Sequence, residues 1–343
     1  MISIIVPTYN EEKYLKKFID SLILCLQNIN EESEILIIDG FSTDNTRSIC
    51  KKLIRKYPNI ILLDNKEKTV PYALNKGINT AKGDTIIRLD AHVEVPKDYI
   101  SKLLYWQKKL NADNVGAVIE TIPYSNDIKS QAIAIAMSNK FGVGNSYFRI
   151  GVNKPIMVDT VPFGCYKKEV FEKIGLFDID LTRNQDDEFN ARLIQNGGKI
   201  FLIPEIKIKY YARQNLEQLA KMFYQYGYFK PLVNLKLKTP TTIRQFIPPL
   251  FVLFVVFGVI LSFVNYTFLF SFILGVGFYI LVNILVSYKI SKEKNNLKLL
   301  LNLVKSFFII HFSYGIGYLK GILDFIIFKK HTKQNLNKIN ISR

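Results

Sequence analysis

The chain has 343 residues, 49 % of them hydrophobic, and a formal net charge of +17. From Thr241 onward 12 Lys and Arg face only two acids, Glu293 and Asp324, so +10 of that charge lies in the most apolar stretch. Basic charge combined with apolar sequence suits a membrane with anionic headgroups. No recognisable nucleic-acid module accompanies it, so no nucleic-acid partner is expected. Three widely spaced cysteines (Cys25, Cys50 and Cys165) in apolar surroundings provide neither a disulfide framework nor a zinc site, and they fit a reducing compartment.

Met1 to Pro7 is too short and too uncharged for a signal peptide and reads as a first strand, so the N-terminal domain is expected in the cytoplasm. Strand and helix then alternate. Ser3–Val6, Glu34–Ile38, Ile60–Leu63, Thr85–Leu89 and Val115–Glu120 are short apolar runs, and Glu12–Leu26 carries a helical apolar face. Asp44 or Ser42 can cap a second helix, and Pro71 suits the first turn of a third. Parallel strands need such crossovers, so the fold class is α/β: a mostly parallel sheet with helices on both faces. Residues 121 to 165 are irregular. Helices are expected over Lys167–Ile174 and Asp186–Asn196, and strands over Lys199–Ile203 and Lys207–Tyr211.

The character changes towards the C-terminus. Leu216–Lys230 has helical apolar spacing with lysines between, as expected of an interfacial amphipathic helix, or of a core helix, before a linker to residue 240. Phe246–Val264 and Phe268–Tyr288 hold no charge, and each has about the 20 residues that cross a hydrocarbon core. Separated by Asn265, Tyr266 and Thr267, they form a membrane hairpin. Leu299–Phe328 is apolar but includes Lys305, His311, Lys320 and Asp324, so it spans as a non-standard third helix or lies at the interface. Lys289, Lys292, Lys294 and Lys298 place the loop after the hairpin on the cytoplasmic side. A third crossing would then put Lys329, Lys330 and Lys333 outside, against the positive-inside rule. The expected organisation is a domain over residues 1–215, a membrane domain over 246–328 with helices near 246–264, 267–288 and 299–328, and a basic tail over 329–343.

Acids recur just past successive strands: Glu11, Asp39, Asp64 and Asp90. Four in a row describe a polar cleft along the carboxyl edge of the sheet. Asp90 and His92, two positions apart, point the same way in extended geometry and can both ligate a metal, although Asp and His after a strand also serve as turn formers. The chain has no G-x-G-x-x-G after the first strand and no Walker sequence, so a bound diphosphate would need a metal to neutralise it. Gln185-Asp186-Asp187-Glu188 opens a helix, whose dipole favours acids there. Asp186 or Asp187 can also act as a general base on an acceptor hydroxyl, with Arg192 to orient or neutralise it.

Ser3-Ile4-Ile5-Val6-Pro7-Thr8-Tyr9-Asn10-Glu11, Ile37-Ile38-Asp39-Gly40-Phe41-Ser42-Thr43-Asp44-Asn45-Thr46, Leu89-Asp90-Ala91-His92 and the helix start at Gln185-Asp186 resemble the family-two inverting glycosyltransferases of GT-A fold over roughly residues 1 to 215. Asp-Ala-His, Tyr211-Ala212-Arg213 and the stretch His311 to Gly321 are most similar to membrane-attached succinoglycan-type glucosyltransferases. The resemblance implies a Rossmann-like sheet and a nucleotide-diphosphate sugar donor, most simply UDP-linked. Pro7, Tyr9, Glu11 and Asp39 would contact the nucleoside, with Asp64 and Asp90 in the same donor cleft. Asp90 would bind Mn2+ or Mg2+ together with His92, and Asp186 would be the base in a single displacement. Gln185, Asp187 and Arg192 would lie around it on the acceptor side. Two positions depart from the family pattern: His92 replaces a second Asp, and Gln185 replaces a Glu.

The implied acceptor is a lipid-linked glycan in surface-polysaccharide synthesis, at a multi-pass cell-membrane protein with a cytoplasmic catalytic domain. A processive synthase would carry Gln-x-x-Arg-Trp, but the single tryptophan is Trp106, and Gln225 to Lys230 has no such pair. A polyprenyl-phosphate sugar synthase and a non-catalytic membrane scaffold on a nucleotide-binding fold are the remaining alternatives.

Overall fold

A computed structural model describes residues 1–330; the end of the expected basic tail, 331–343, lies outside the described residues. The chain divides into two compact units, Met1–Glu120 with Ile150–Tyr210, and Thr121–Arg149 with Tyr211 onward. Thr121–Arg149, which the sequence places in the first domain, therefore packs within the second unit.

The first unit begins with β1 (Ile2–Thr8), α1 (Leu15–Leu26), β2 (Ser33–Asp39), α2 (Thr46–Lys56), β3 (Ile60–Asp64), α3 (Val70–Thr80), β4 (Thr85–Arg88) and α4 (Tyr99–Leu110). Next comes β5 (Asn114–Ile122), followed in the second unit by α5 (Ile128–Met137) and the single turns α6 (Lys140–Val143) and α7 (Tyr147–Ile150). The chain then adds β6 (Ile156–Met157), β7 (Cys165–Lys167), α8 (Lys168–Ile174), α9 (Gln185–Gln195) and β8 (Ile200–Tyr211). Among the described residues the sheet has eight strands in the order β3-β2-β1-β4-β7-β5-β8-β6.

The β1–β2, β1–β4 and β2–β3 pairs are parallel, while β7 runs antiparallel to both β4 and β5. This is the mixed, mostly parallel sheet expected. Ile2, Ile4, Ile5 and Val6 of β1 are all fully buried, because a central parallel strand is covered on both faces and reads as a continuous apolar run. Helix α3 approaches so closely that a Cβ at Gly77 would meet Ile5 Cγ2 at 2.6 Å.

Several local expectations shift. The sequence splits 199–211 into two strands around Pro204 and Glu205, yet β8 runs through them unbroken. Neither Ser42 nor Asp44 serves as the N-cap of α2. That position is Asn45, which makes no side-chain cap bond. Ser42 Oγ instead accepts from Asn10 N (2.8 Å), and Asp44 accepts from Glu12 N (3.2 Å) and Thr46 N (3.0 Å). These bonds tie the loop after β1 to the loop after β2. The first helix consequently starts at Leu15, not Glu12, because residues 10–14 belong to that joined loop.

Strand order reverses between β1 and β4. From β1 the chain builds outward through β2 to β3, then returns to place β4 on the other side of β1. A crevice at the carboxyl ends of the strands opens at such a switch point. Residues 9–11 and 90–92 border it.

The second unit adds α10 (Leu216–Leu237), α11 (Ile247–Ser262), α12 (Tyr266–Glu293) and α13 (Leu300–Gly321), the last continued by a π-helical turn over Ile322–Ile327. The stretches Ile243–Ser262, Tyr266–Glu293 and Leu297–Ile327 are each long and apolar enough to cross a membrane.

Candidate active site

The site is built around a cation. Arg88, the last residue of β4, is almost completely buried in a strand that is otherwise apolar or small. Its Nη1 donates to Asp186 Oδ2 at 2.5 Å and its Nη2 to Asp90 Oδ1 at 3.1 Å. One guanidinium therefore joins the carboxylate expected to face the diphosphate to the carboxylate expected to act as base. Burial alone would lower the Arg88 pKa, but the charges of Asp186 and Asp90 outweigh it and hold the group above its ordinary value. The Phe163 ring packs against the guanidinium at 5.3 Å, from a residue held at φ 54°, a conformation costly for a bulky side chain.

Asp186 lies in the first turn of α9, preceded by Asn184 in left-handed conformation. The helix is fixed from below. Phe189 packs against Phe177 (4.4 Å), Phe171 (5.1 Å) and Tyr166 (5.5 Å), while the buried Asn190 donates to Thr160 Oγ1 and the Val161 carbonyl. Burial pushes the Asp186 pKa up; Arg88 pulls it down, and the Asp90 and Asp187 charges add to the rise, leaving it above the ordinary aspartate value. With Oδ2 held by Arg88, Oδ1 is buried and has no hydrogen-bond partner among the described residues. A buried acceptor with an unused lone pair is costly unless something donates to it.

Glu11 and His92 meet across the switch-point crevice, with His92 Nδ1 3.2 Å from Glu11 Oε1. Farther along the sheet edge, Asp39 and Asp64 are register neighbours on β2 and β3. Arg47 Nη1 donates to both, at 2.7 and 2.8 Å. Asp39 is fully buried and also accepts from Ser42 Oγ (2.5 Å) and Ser42 N (3.1 Å), whereas the Asp64 side chain is 47 % exposed. Tyr9 lies alongside Gly40, the residue that follows β2. Pro7 lies one residue before the end of β1, paired with Ile38.

The residues placed around the base separate. Gln185 is buried at the start of α9 and Asp187 is partly buried beside it. Arg192 does not orient Asp186. Its Nε and Nη2 donate to Glu188, at 2.7 and 2.9 Å, and its guanidinium also binds the carbonyls of Ile174 and Leu176. Four residues apart on a helix, Glu188 is the reachable neighbour. The charge that Arg192 was expected to supply comes from Arg88, and Arg47 does the same for Asp39 and Asp64. The sequence showed one signal for Arg88, a lone cation inside an apolar strand.

Among the described residues no group of three or more His, Cys, Asp or Glu is placed to hold a metal ion. Asp90, with a side chain 25 % exposed and one oxygen on Arg88, is the best single donor, and His92 has Nδ1 committed to Glu11. That set fits a hard cation that takes most of its ligands from a diphosphate and water, as Mg2+ commonly does.

A doubly wound sheet binds its ligands in the crevice at the switch point, and here acids and a buried carboxylate border that crevice. Residues 3–175 match glycosyl transferase family 2, and the chain belongs to that family; it is a glycosyltransferase of GT-A fold. It is 33 % identical over 246 residues to dolichyl N-acetyl-α-D-glucosaminyl phosphate 3-β-D-2,3-diacetamido-2,3-dideoxy-β-D-glucuronosyltransferase of Methanococcus voltae, covering 68 % of this chain and 73 % of that protein. It is 30 % identical over 265 residues to the succinoglycan biosynthesis protein ExoA of Rhizobium meliloti, covering 77 % and 78 %. Among solved structures, mannosyltransferase PcManGT from Pyrobaculum calidifontis, in complex with GDP-Man and Mn2+, shares the fold at TM-score 0.50 and 17 % identity, over 66 % of this chain and 61 % of that one.

Proposed function

We propose that the chain is an inverting transferase moving one sugar from a nucleotide-diphosphate sugar, a UDP-linked hexose, to a hydroxyl of a lipid-linked glycan at the membrane. The observation that carries this reading is Asp186 Oδ1, a buried acceptor with no donor beside a carboxylate oxygen held by Arg88. An acceptor hydroxyl donating to Oδ1 satisfies that lone pair and is oriented for proton loss. With its pKa raised, Asp186 is a stronger base than an ordinary aspartate. Attack assisted from one side, with the diphosphate leaving on the other, inverts the anomeric carbon in a single displacement.

The donor lies along the strand ends. Pro7, Tyr9, Glu11 and Asp39 line the nucleoside cleft; Asp64, more exposed than Asp39, presents a carboxylate to a ring N–H, and Arg47 fixes its orientation. Asp90 would hold Mn2+ or Mg2+, with His92 beside it, and the cation would supply stabilisation of charge on the leaving diphosphate. Arg88 favours the ionised form of Asp186, which the neighbouring Asp90 charge opposes.

A lipid-linked acceptor is supported by the membrane helices and by the name of the Methanococcus relative, which specifies a dolichyl-phosphate-linked sugar. Lys289, Lys292, Lys294 and Lys298, at and just past the end of α12, support a cytoplasmic catalytic unit. Membranes containing the protein, given labelled UDP-, GDP- and dTDP-sugars with and without chelator, test the reading. The expected product is a lipid-linked glycan extended by one hexose from a UDP donor, lost with chelator. Sugar on a bare lipid phosphate would instead identify a polyprenyl-phosphate sugar synthase, and no transfer from any donor would contradict the proposal.

A further inference from the structure

The helices of the second unit do not pack as three crossing helices would. In α11 only Pro249 and Val252 are buried, and in α12 only Asn283, Ser287, Ile290 and Ser291. Burial is thus confined to the end of the hairpin where the chain enters and leaves it. Towards the other end the two helices contact each other, with Gly258 facing Phe272 and Gly275 facing Phe254. Phe257, Ile260, Phe270, Leu274 and Phe278 lie exposed around them, as lipid-facing residues do.

Helix α13 meets the hairpin at its buried base. Asn283 Nδ2 donates to the Val304 carbonyl (3.1 Å), Tyr279 Oη and His311 Nδ1 are 3.0 Å apart, and Gly315 abuts Pro248 and Val252. Past Gly315 its partner is α10. Gly317 and Gly321 face the carbonyls of Tyr224 and Tyr228, and Gly227 faces that of Tyr314, with no room for a Cβ at any of the three. Small residues let two helix backbones approach this closely. The pairing fixes the depth of α13, because α10 carries Glu217, Lys221, Lys230 and Lys236 and is not among the stretches apolar enough to cross. If Gly315–Ile327 entered the hydrocarbon core, Tyr224–Pro231 would enter with it. Phe246, one residue before α11, packs on Tyr318, so the hairpin entrance lies at this same depth.

We infer that α13 does not cross the bilayer, and that α10 and α13 form a helix pair in the plane of the interface, on the side of the Lys289–Lys298 loop, against anionic lipid headgroups. Charge complements that surface. Asp324 Oδ1 accepts from both Lys320 Nζ and Lys330 Nζ, each at 2.9 Å, while Tyr228 Oη donates to Oδ2 (3.0 Å). Two ammonium groups on one carboxylate leave a net positive charge, and both lysines are about half exposed. The π-helical turn, closed by Phe328 N donating to the Leu323 carbonyl (2.8 Å), carries Asp324 into this network; such turns recur at functional positions. With α13 in the interface, Lys329 and Lys330 stay on the side the positive-inside rule requires.

The test is independent of the proposed reaction. Full-length protein in sealed vesicles of known orientation is treated with a membrane-impermeant maleimide after single substitutions Lys294→Cys, Tyr266→Cys and Lys329→Cys. The native thiols are fully buried, and burial raises Cys25 to about 11, Cys50 to about 12 and Cys165 further, so they give no background. The inference expects Lys294→Cys and Lys329→Cys to label from one side and Tyr266→Cys from the other. Labelling of Lys329→Cys together with Tyr266→Cys, or from neither side, overturns it. Labelling of all three from one side overturns the hairpin crossing as well.

Discussion

Arg88→Gln removes the one cation shared by Asp186 and Asp90 and leaves two neighbouring carboxylates without it. Breaking a buried ion pair by deleting one partner costs roughly 3–5 kcal/mol. Here the two acid side chains keep 22 % and 25 % exposure. Solvent therefore screens part of the loss, and about 2–4 kcal/mol is expected. For a unit of this size that is a fall in Tm of roughly 5–15 °C. The only tryptophan, Trp106, lies in the same unit with its indole donating to Glu205, so its fluorescence in detergent reports that unit's melting.

The pH dependence has a defined sign. A carboxylate whose folded pKa is raised destabilises the fold fully above that pKa, and the penalty shrinks as pH falls below it and is gone below the unfolded value. Arg88 lowers the Asp186 pKa in the wild type. The deficit of Arg88→Gln should therefore be largest near neutrality and shrink in acid. Adding Asp186→Asn removes one of the stranded charges, so the double variant should recover about 1–3 kcal/mol relative to the sum of the single changes. Additivity within about 0.5 kcal/mol would refute the shared-cation account.

Since the base must be ionised, kcat/KM should fall on an acidic limb lying above the ordinary aspartate value of 3.8, and Arg88→Gln should move that limb further up. A limb at or below that value, or one unmoved by the substitution, contradicts the assignment. The sparse protein donor set leads us to expect no stoichiometric Mn2+ binding by electron paramagnetic resonance until nucleoside diphosphate is added, and loss of that ternary binding in Asp90→Ala; tight binding by the protein alone would refute it. Gly317→Val forces a branched side chain onto the Tyr224 carbonyl and should destabilise the α10–α13 pair by about 1–3 kcal/mol or more, read as a lower melting temperature in detergent. An unchanged temperature would show that the backbones are not in contact.

Much of the fold was legible because periodicity survives without partners. The apolar runs of β1 and β2, and Pro71 in the first turn of α3, stand where the sequence placed them. The three-residue β7 was not legible, since its neighbours are distant in sequence and it is too short to show alternation. Ser42 and Asp44 read as caps because local spacing suggests the nearest helix, yet their partners in the loop after β1 lie some thirty residues away. The acids of the site stand out in the sequence because Glu11, Asp39, Asp64 and Asp90 fall at or just past strand ends and Asp186 opens a helix. Their cations do not, since the contact of Arg88 with Asp186 spans 98 positions and no local pattern encodes it. Arg192 lies near Asp186 in sequence, but Glu188, one helical turn away, is the partner it reaches.

If Asp186 takes the acceptor proton, Asp186→Asn should separate turnover from donor affinity. Asparagine keeps the shape and still offers Arg88 an acceptor oxygen, but it cannot take the proton. The account expects transfer to fall by roughly 10²–10⁴-fold, the usual worth of a positioned base. Nucleotide-sugar binding by titration calorimetry should remain within a few-fold of wild type, because Asp186 is assigned to the acceptor side. Turnover within tenfold of wild type would contradict the claim, and so would loss of donor binding that matches the loss of turnover.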